Sequence, residues 1–418
     1  MSPIRPSRRR RRRGPAVRRW VWGPGLVVML AGTDVGSLVT AGQSGARFGY
    51  AMVLPQLALV PVLYLVQEAT ARLGVATGRG QGALVRERFG RPWALAGVAL
   101  LVASSLGALV IQLAGVAGAA ELFGLPPDPA VLGAAGVAVG VAMAGSYRRA
   151  ERTGLALGLA ELALLPAAVL ARPSPGALAH GLARLPLGDP SYLKLLAANV
   201  GAAVMPWMVY YQQGAVLDRG LERGDLAAER RDTALGALAG QVVTVAAVVA
   251  VAATAQGHRP GAPLDSVAAL ASALRPSLGD AASRALVGTA LLGAGMVAAL
   301  VASLAGAWGL SEVLSWRHSL NERPGRATAA FWLTYGLGHL GAAAVVLASP
   351  DPVGLVVDLE VLNALALPVV LGSLLALEAR ALPPQQRTSG ARRLAAQLAC
   401  AAAAGLGLAA LAASLAGA

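Results

Sequence analysis

The chain is punctuated by apolar runs, each close to the roughly 20 residues that cross a bilayer, and two of those runs are broken in the middle. The first runs from Gly25 to Gln43 and breaks at Thr33-Asp34-Val35-Gly36-Ser37. The second runs from Tyr192 to Val216 and breaks at Val204-Met205-Pro206-Trp207. In lipid, every backbone polar group must find its partner inside the protein, and a carboxylate in mid-membrane is costly. Both are tolerated where a segment lines a cavity. Two broken helices, each opening a set of five spans, are therefore the sequence signature of a secondary-transporter binding site.

Composition agrees with a membrane setting. Charged residues make up 13% of the 418 positions, against about 25% in a soluble domain. Eleven spans are expected, beginning near Gly25, Gly49, Trp93, Ala130, Gly154, Tyr192, Thr233, Ala285, Thr328, Val353 and Leu394. The single cysteine, Cys400, forms no internal disulfide and fits no metal-ligand spacing. The net charge of +14 is weighted towards a tail ahead of the first span, with Arg5, Arg8 to Arg13, Arg18 and Arg19. Ahead of a hydrophobic helix, such a tail reads as a positive-inside anchor that touches anionic lipid. No aromatic residues lie among the clustered arginines, so nucleic acid is not an expected partner.

With the N-terminus inside, no loop assigned outside carries more basic residues than any loop assigned inside, and two outside loops carry none. The positive-inside rule then places the C-terminus outside a cytoplasmic membrane. Spans one to five and six to ten have opposite orientations, an inverted repeat over about residues 23–172 and 190–378. Residues 1–22 form the basic tail, 23–378 the core, and 379–418 a linker with an additional span.

Asp34 is the leading site residue, an ion ligand or proton carrier rather than a snorkelling charge. Met205 gains weight from its neighbour Pro206, which leaves the Ala202 carbonyl without its usual donor. Carboxylate, carbonyl, the Ser37 hydroxyl and the Met205 thioether make a mixed hard and soft site, and thioether sulfur favours transition ions over Mg²⁺ or Ca²⁺. Candidate pathway positions are Ala31, Gln112, Tyr210, Gln212 and Glu360. Tyr210, Tyr211, Gln212 and Gln213 either line a water path or anchor an interface. Asp358 and Glu360 either form an outer vestibule or pair with an external arginine. Glu161 and Glu312 read the same way, with a structural role favoured, and His339 reads as a packing residue. No Walker motif or catalytic triad is present, so no enzyme is expected.

At these residues the chain resembles the Nramp (natural-resistance-associated macrophage protein) family of divalent metal transporters. Asp34-Val35-Gly36-Ser37 corresponds to the family's D-P-G-N motif, and Gly201-Ala202-Ala203-Val204-Met205-Pro206 to its G-A-x-V-M-P. The stretches from Gln43 to Tyr50 and from Gln67 to Gly78, and Arg231-Asp232-Thr233, are similar to the family's continuation. The resemblance covers spans one to ten. It implies an all-α LeuT-like fold with metal held by Asp34, Met205 and the Ala202 carbonyl.

The departures also carry information. Ser37 stands for the motif's asparagine, Val35 for its proline, and Trp207 for the histidine after Met-Pro. Gln212 stands for a second histidine, Gln112 for a span-three glutamate, and Ala366 for a span-ten glutamine. Histidine and glutamate are the groups that relay protons near neutral pH, so weak or absent proton coupling is expected. The expected function is alternating-access transport of a Mn²⁺- or Fe²⁺-type ion. The alternatives are Mg²⁺ transport on the same fold, or symport of an amino acid or other organic solute. The ion is cargo, so no cofactor is expected, and a monomer suffices.

Overall fold

The computed structural model describes residues 22–255, 264, 266–349 and 356–415. The basic tail lies outside the described residues, as does Arg259. Among the described residues the regular structure is entirely helical. The first repeat contains α1 (Pro24–Gly32), α2 (Val35–Phe48), α3 (Val53–Thr77), α4 (Gln81–Phe89), α5 (Arg91–Leu122), α6 (Pro127–Met143), α7 (Tyr147–Gly158) and α8 (Leu164–Leu170). A short α9 (Pro175–Ala183) leads to the second, with α10 (Pro190–Ala203), α11 (Pro206–Arg219), α12 (Leu226–Ala255), α13 (Val267–Leu278), α14 (Asp280–Leu314), α15 (Ala329–Ala348) and α16 (Val356–Ala381). The last helix is α17 (Gly390–Leu415).

Seven segments are long and apolar enough to cross a membrane by length and composition alone. With α6, α16, α17 and the split first crossing, the described helices make the expected eleven. Crossings one and six are the split ones, α1 with α2 and α10 with α11.

Helix packing reveals the inverted repeat. Exchanging crossings one to five for six to ten maps most of the principal helix contacts onto one another. The pair α1–α2 packs on α12, and α10–α11 packs on α3. At the centre α5 packs on α14, and α3 on α12, each crossing meeting its own counterpart. Even the connecting helices correspond: α4 packs on α5, α14, α11 and α16, while α13 packs on α14, α5, α2 and α8.

Many large apolar side chains lie exposed along the crossings, as a bilayer solvent allows. On α15, Leu333, Leu337 and Leu340 are exposed on one face, while Phe331, Tyr335 and His339 are buried on the other. Helix α14 is buried on nearly every face, and its glycines admit neighbours closely. At Gly295, a Cβ would lie 2.9 Å from the Gln112 carbonyl oxygen.

Two spans begin well before their expected starts. Helix α7 starts at Tyr147 rather than Gly154, and α12 at Leu226 rather than Thr233. Hydropathy marks where a helix meets lipid, whereas the helix continues into a polar end held by tertiary bonds. Glu151 pairs with Arg219, and Glu68 with Arg230. Helix α16 likewise extends to Ala381, past the expected core boundary at 378.

Candidate functional site

The first break is built by capping. Helix α1 stops at Gly32, and Asp34 is extended (φ −81°, ψ −179°) as the N-cap of α2. Its Oδ1 accepts the Ser37 N–H at 2.8 Å, and the Ser37 hydroxyl donates back to the Asp34 carbonyl at 2.9 Å. An aspartate at this position satisfies a free N–H and lies at the positive end of the helix dipole. Gln112 of α5 completes the arrangement. Its Nε2 donates to Asp34 Oδ2 at 2.8 Å, and its Oε1 accepts the Val35 N–H at 3.1 Å. Asp34 and Gln112 are both 0% exposed. Gln112 therefore orients the carboxylate directly.

The second break lies between Ala203 and Pro206. Val204 and Met205 leave helical geometry, and Pro206 is the first residue of α11. The proline thus starts the second half-helix, where its fixed φ fits and its missing N–H costs nothing. It still denies the Ala202 carbonyl a donor four residues on. Ala202 and Met205 are buried, as are Ala31 and Ser37. Helix α1 packs on α11 and α2 on α10, so the four half-helix ends converge. A cavity of only about 10 Å³ beside the breaks, lined by Gly32, Thr33, Ala203 and Met208 among others, is at the lower limit for a single water.

The structure corrects the reading of Glu360. It is 1% exposed and lies against Gly36, neither in an outer vestibule nor on an arginine. A Cβ on Gly36 would run into Glu360 Oε1 and lie 3.3 Å from Asp34 Oδ1. Two carboxylates thus share the first break across this glycine. Glu360 Oε2 accepts from Asn363 Nδ2 at 3.1 Å, and Ser104 donates to Asn363 Oδ1 at 3.0 Å. The Asp358 side chain lies outside the described residues.

Other expected positions separate by role. Tyr210 and Gln212 are buried, so they are not interface anchors. Tyr210 packs against Gly309 of α14, and Gln212 donates to Glu229 at 2.7 Å. Glu312 accepts the Gly82 N–H at 2.8 Å, which ties α14 to α4. Glu161 is different: both its carboxylate oxygens are buried, with no hydrogen-bond partner among the described residues. His339 packs 4.6 Å from Tyr335 and touches its carbonyl through Nδ1.

Two features escaped the sequence reading. Met208 brings a second thioether to the end of α1, where a Cβ on Gly32 would lie 3.3 Å from its Sδ. Asp232 caps α1 from α12, accepting from the Gly23 and Leu26 N–H groups at 2.8 and 2.9 Å. Among the described residues, no group of three or more His, Cys, Asp or Glu side chains is placed to hold a metal. A cation at the breaks would draw on carbonyl and thioether donors as well as carboxylates.

Inverted five-crossing repeats with split first helices define a multi-pass membrane transporter of the LeuT-like fold. The sequence profile described as natural-resistance-associated macrophage protein-like matches residues 25–413, and the chain belongs to this Nramp family. It is 30% identical over 389 residues to the divalent metal cation transporter MntH of Verminephrobacter eiseniae, covering 87% of this chain and 82% of that one. It is 33% identical over 309 residues to MntH 1 of Pseudomonas aeruginosa, covering 68% and 67%. A crystal structure of a variant of the Eremococcus coleocola manganese transporter superposes with a TM-score of 0.76 at 21% identity, over 92% of this chain and 85% of that one. A nucleobase-cation-symport-1 family transporter shares the fold more distantly, with a TM-score of 0.56 at 14% identity, over 94% and 90%.

Proposed function

We propose that this protein carries divalent metal cations across the cytoplasmic membrane, with the ion bound where the two split helices meet. The observation that carries the reading is the fully buried Asp34 carboxylate at one break and the buried Met205 and Ala202 at the other, where Pro206 has no N–H to offer the Ala202 carbonyl. Two family relatives named as divalent metal cation transporters support it. Asp34, Met205, the Ala202 carbonyl and Ser37 are the proposed ligand set, with Ser37 reaching the ion through water because its hydroxyl is committed to Asp34. Transport proceeds by alternating access, one repeat rocking against the other around the fixed site. The N-terminus is inside and the C-terminus outside. Neutral Gln112, Trp207 and Gln212 make proton coupling weak or absent.

The thioether favours Mn²⁺ or Fe²⁺. Glu360 supports a second reading, Mg²⁺, because another hard carboxylate near Asp34 favours an oxygen-bound ion. The deciding experiment is Mn²⁺ uptake into proteoliposomes with excess Mg²⁺ as competitor, alongside Met205→Ala. Uptake that survives Mg²⁺ in the parent and loses that resistance in Met205→Ala supports the transition-metal reading. Equal competition in both proteins replaces it with the Mg²⁺ reading.

A further inference from the structure

Away from the helix breaks, a cleft of about 520 Å³ opens at the arginine-rich end of the bundle. It lies between the end of α3, the start of α12 and the linker joining α16 to α17. Its charged lining is Arg72, Arg223, Arg230, Arg387 and Arg392 against the single carboxylate Glu68. Glu378 and Glu68 neutralise Arg72 and Arg230, which leaves three positive charges, Arg223, Arg387 and Arg392, repelling one another on a concave wall unless an anion is bound between them.

The cleft is a built site as well as a charged one. Arg72 is buried and forms its floor. It donates to Glu68, to Glu378 at 2.6 Å and to Thr388 at 2.8 Å, and it also reaches the Gln386 carbonyl. One guanidinium therefore ties α3, α16 and the linker together and fixes the shape of the cleft. Arg230 pairs with Glu68 at 2.8 Å. The exposed arginines are not consumed in the same way. Among the described residues, Arg223 and Arg392 have no ion-pair partner. Leu65, one turn deeper along α3 than Glu68, and Leu226 add apolar walls.

We infer that this cleft binds a phosphate-bearing anion at the cytoplasmic membrane surface, the headgroup of an acidic phospholipid being the form that also fits the apolar walls. The arginine fork matches phosphate oxygens in pairs. Basic pockets between membrane helices on the cytoplasmic side suit acidic headgroups. The bound anion bridges α3, α12 and the linker, so it holds α17 against the core. This inference does not depend on which ion the transporter carries.

The test uses full-length protein. Native mass spectrometry measures binding of cardiolipin and of phosphatidylcholine to the parent, to Arg223→Gln/Arg392→Gln, and to the control Arg317→Gln. Arg317 is also exposed but lies in another loop, where it pairs with Glu322. The parent and control are expected to prefer cardiolipin. The double variant is expected to bind it about thirtyfold more weakly, from about fivefold per arginine near a membrane surface. A separate arm adds inorganic phosphate. Displacement of cardiolipin from the parent by millimolar phosphate shows that the bare phosphate group suffices. Failure to displace it assigns the site to the intact lipid, and both results keep the anion site. Unchanged cardiolipin binding in the double variant overturns the inference, as does an equal loss in Arg317→Gln.

Discussion

Exchanging the charge between Asp34 and Gln112 separates the role of the carboxylate as a helix cap from its role as a ligand. In Asp34→Asn, one amide edge keeps the cap, still accepting the Ser37 N–H that lies 2.8 Å from Oδ1. The other edge becomes an NH₂ facing Gln112 Nε2, now donor against donor, where a 2.8 Å bond stood. Gln112 cannot simply flip its amide, because its Oε1 is needed by the Val35 N–H. The substitution therefore removes one charge-assisted hydrogen bond and leaves a buried donor unpaired, at a cost of about 1.5–3 kcal/mol. Adding Gln112→Glu restores an acceptor on both edges, and the pair regains its hydrogen bonds with the charge moved from α2 to α5.

The expected outcome is that Asp34→Asn lowers thermal stability in detergent, and that Asp34→Asn/Gln112→Glu recovers most of the loss. Mn²⁺ uptake into proteoliposomes separates the roles. If Asp34 is a ligand, both variants lose uptake, because position 34 no longer supplies a carboxylate to the ion. The expected loss in ion affinity exceeds the roughly 10–100-fold typical of removing an outer partner alone. Parent-like uptake by Asp34→Asn would refute the ligand assignment. A double variant no more stable than the single one would refute the hydrogen-bond argument.

Gly36→Ala would drive a Cβ into the Glu360 carboxylate, costing about 1–3 kcal/mol as overpacking, and transport should fall sharply; normal uptake would mean that Glu360 moves freely and does not share the break. Asp232→Ala removes the acceptor of two N–H groups at the start of α1, so that end should loosen. In a Cys400→Ser background, Ala31→Cys should then react faster with a thiol reagent from the inside, and an unchanged rate would show that Asp232 does not hold α1 closed. Uptake should depend little on an imposed proton gradient, since Gln112, Trp207 and Gln212 are neutral. Steep stimulation by inward protons would refute that expectation and direct attention to Glu161 and Glu360.

The two breaks were legible because their causes are local. Asp34 can cap the helix that begins one residue later, and Pro206 can start one, whatever packs around them. Apolar run length located the crossings for the same reason, but it placed the starts of α7 and α12 seven residues late. There the polar first turns are held by contacts that no local pattern encodes, among them the pairing of Glu151 with Arg219 and of Glu68 with Arg230. Connecting helices α4, α9 and α13 lay in segments read as loops, being too short or too polar to register as spans.

The surroundings of Asp34 depended on distances that a linear pattern does not contain. Gln112 lies 78 residues away in the chain, yet it braces the carboxylate. Glu360 had the signature of any intramembrane carboxylate, and only the packing of α16 on α2 brings it to Gly36. Sequence alone determined that this chain spans a membrane in two inverted halves with a helix break in each, because apolar length, capping and proline chemistry act within a few residues. Tertiary structure alone decided which side chains share the break, because an unpaired charge in a membrane takes its partners from whichever helix packs against it.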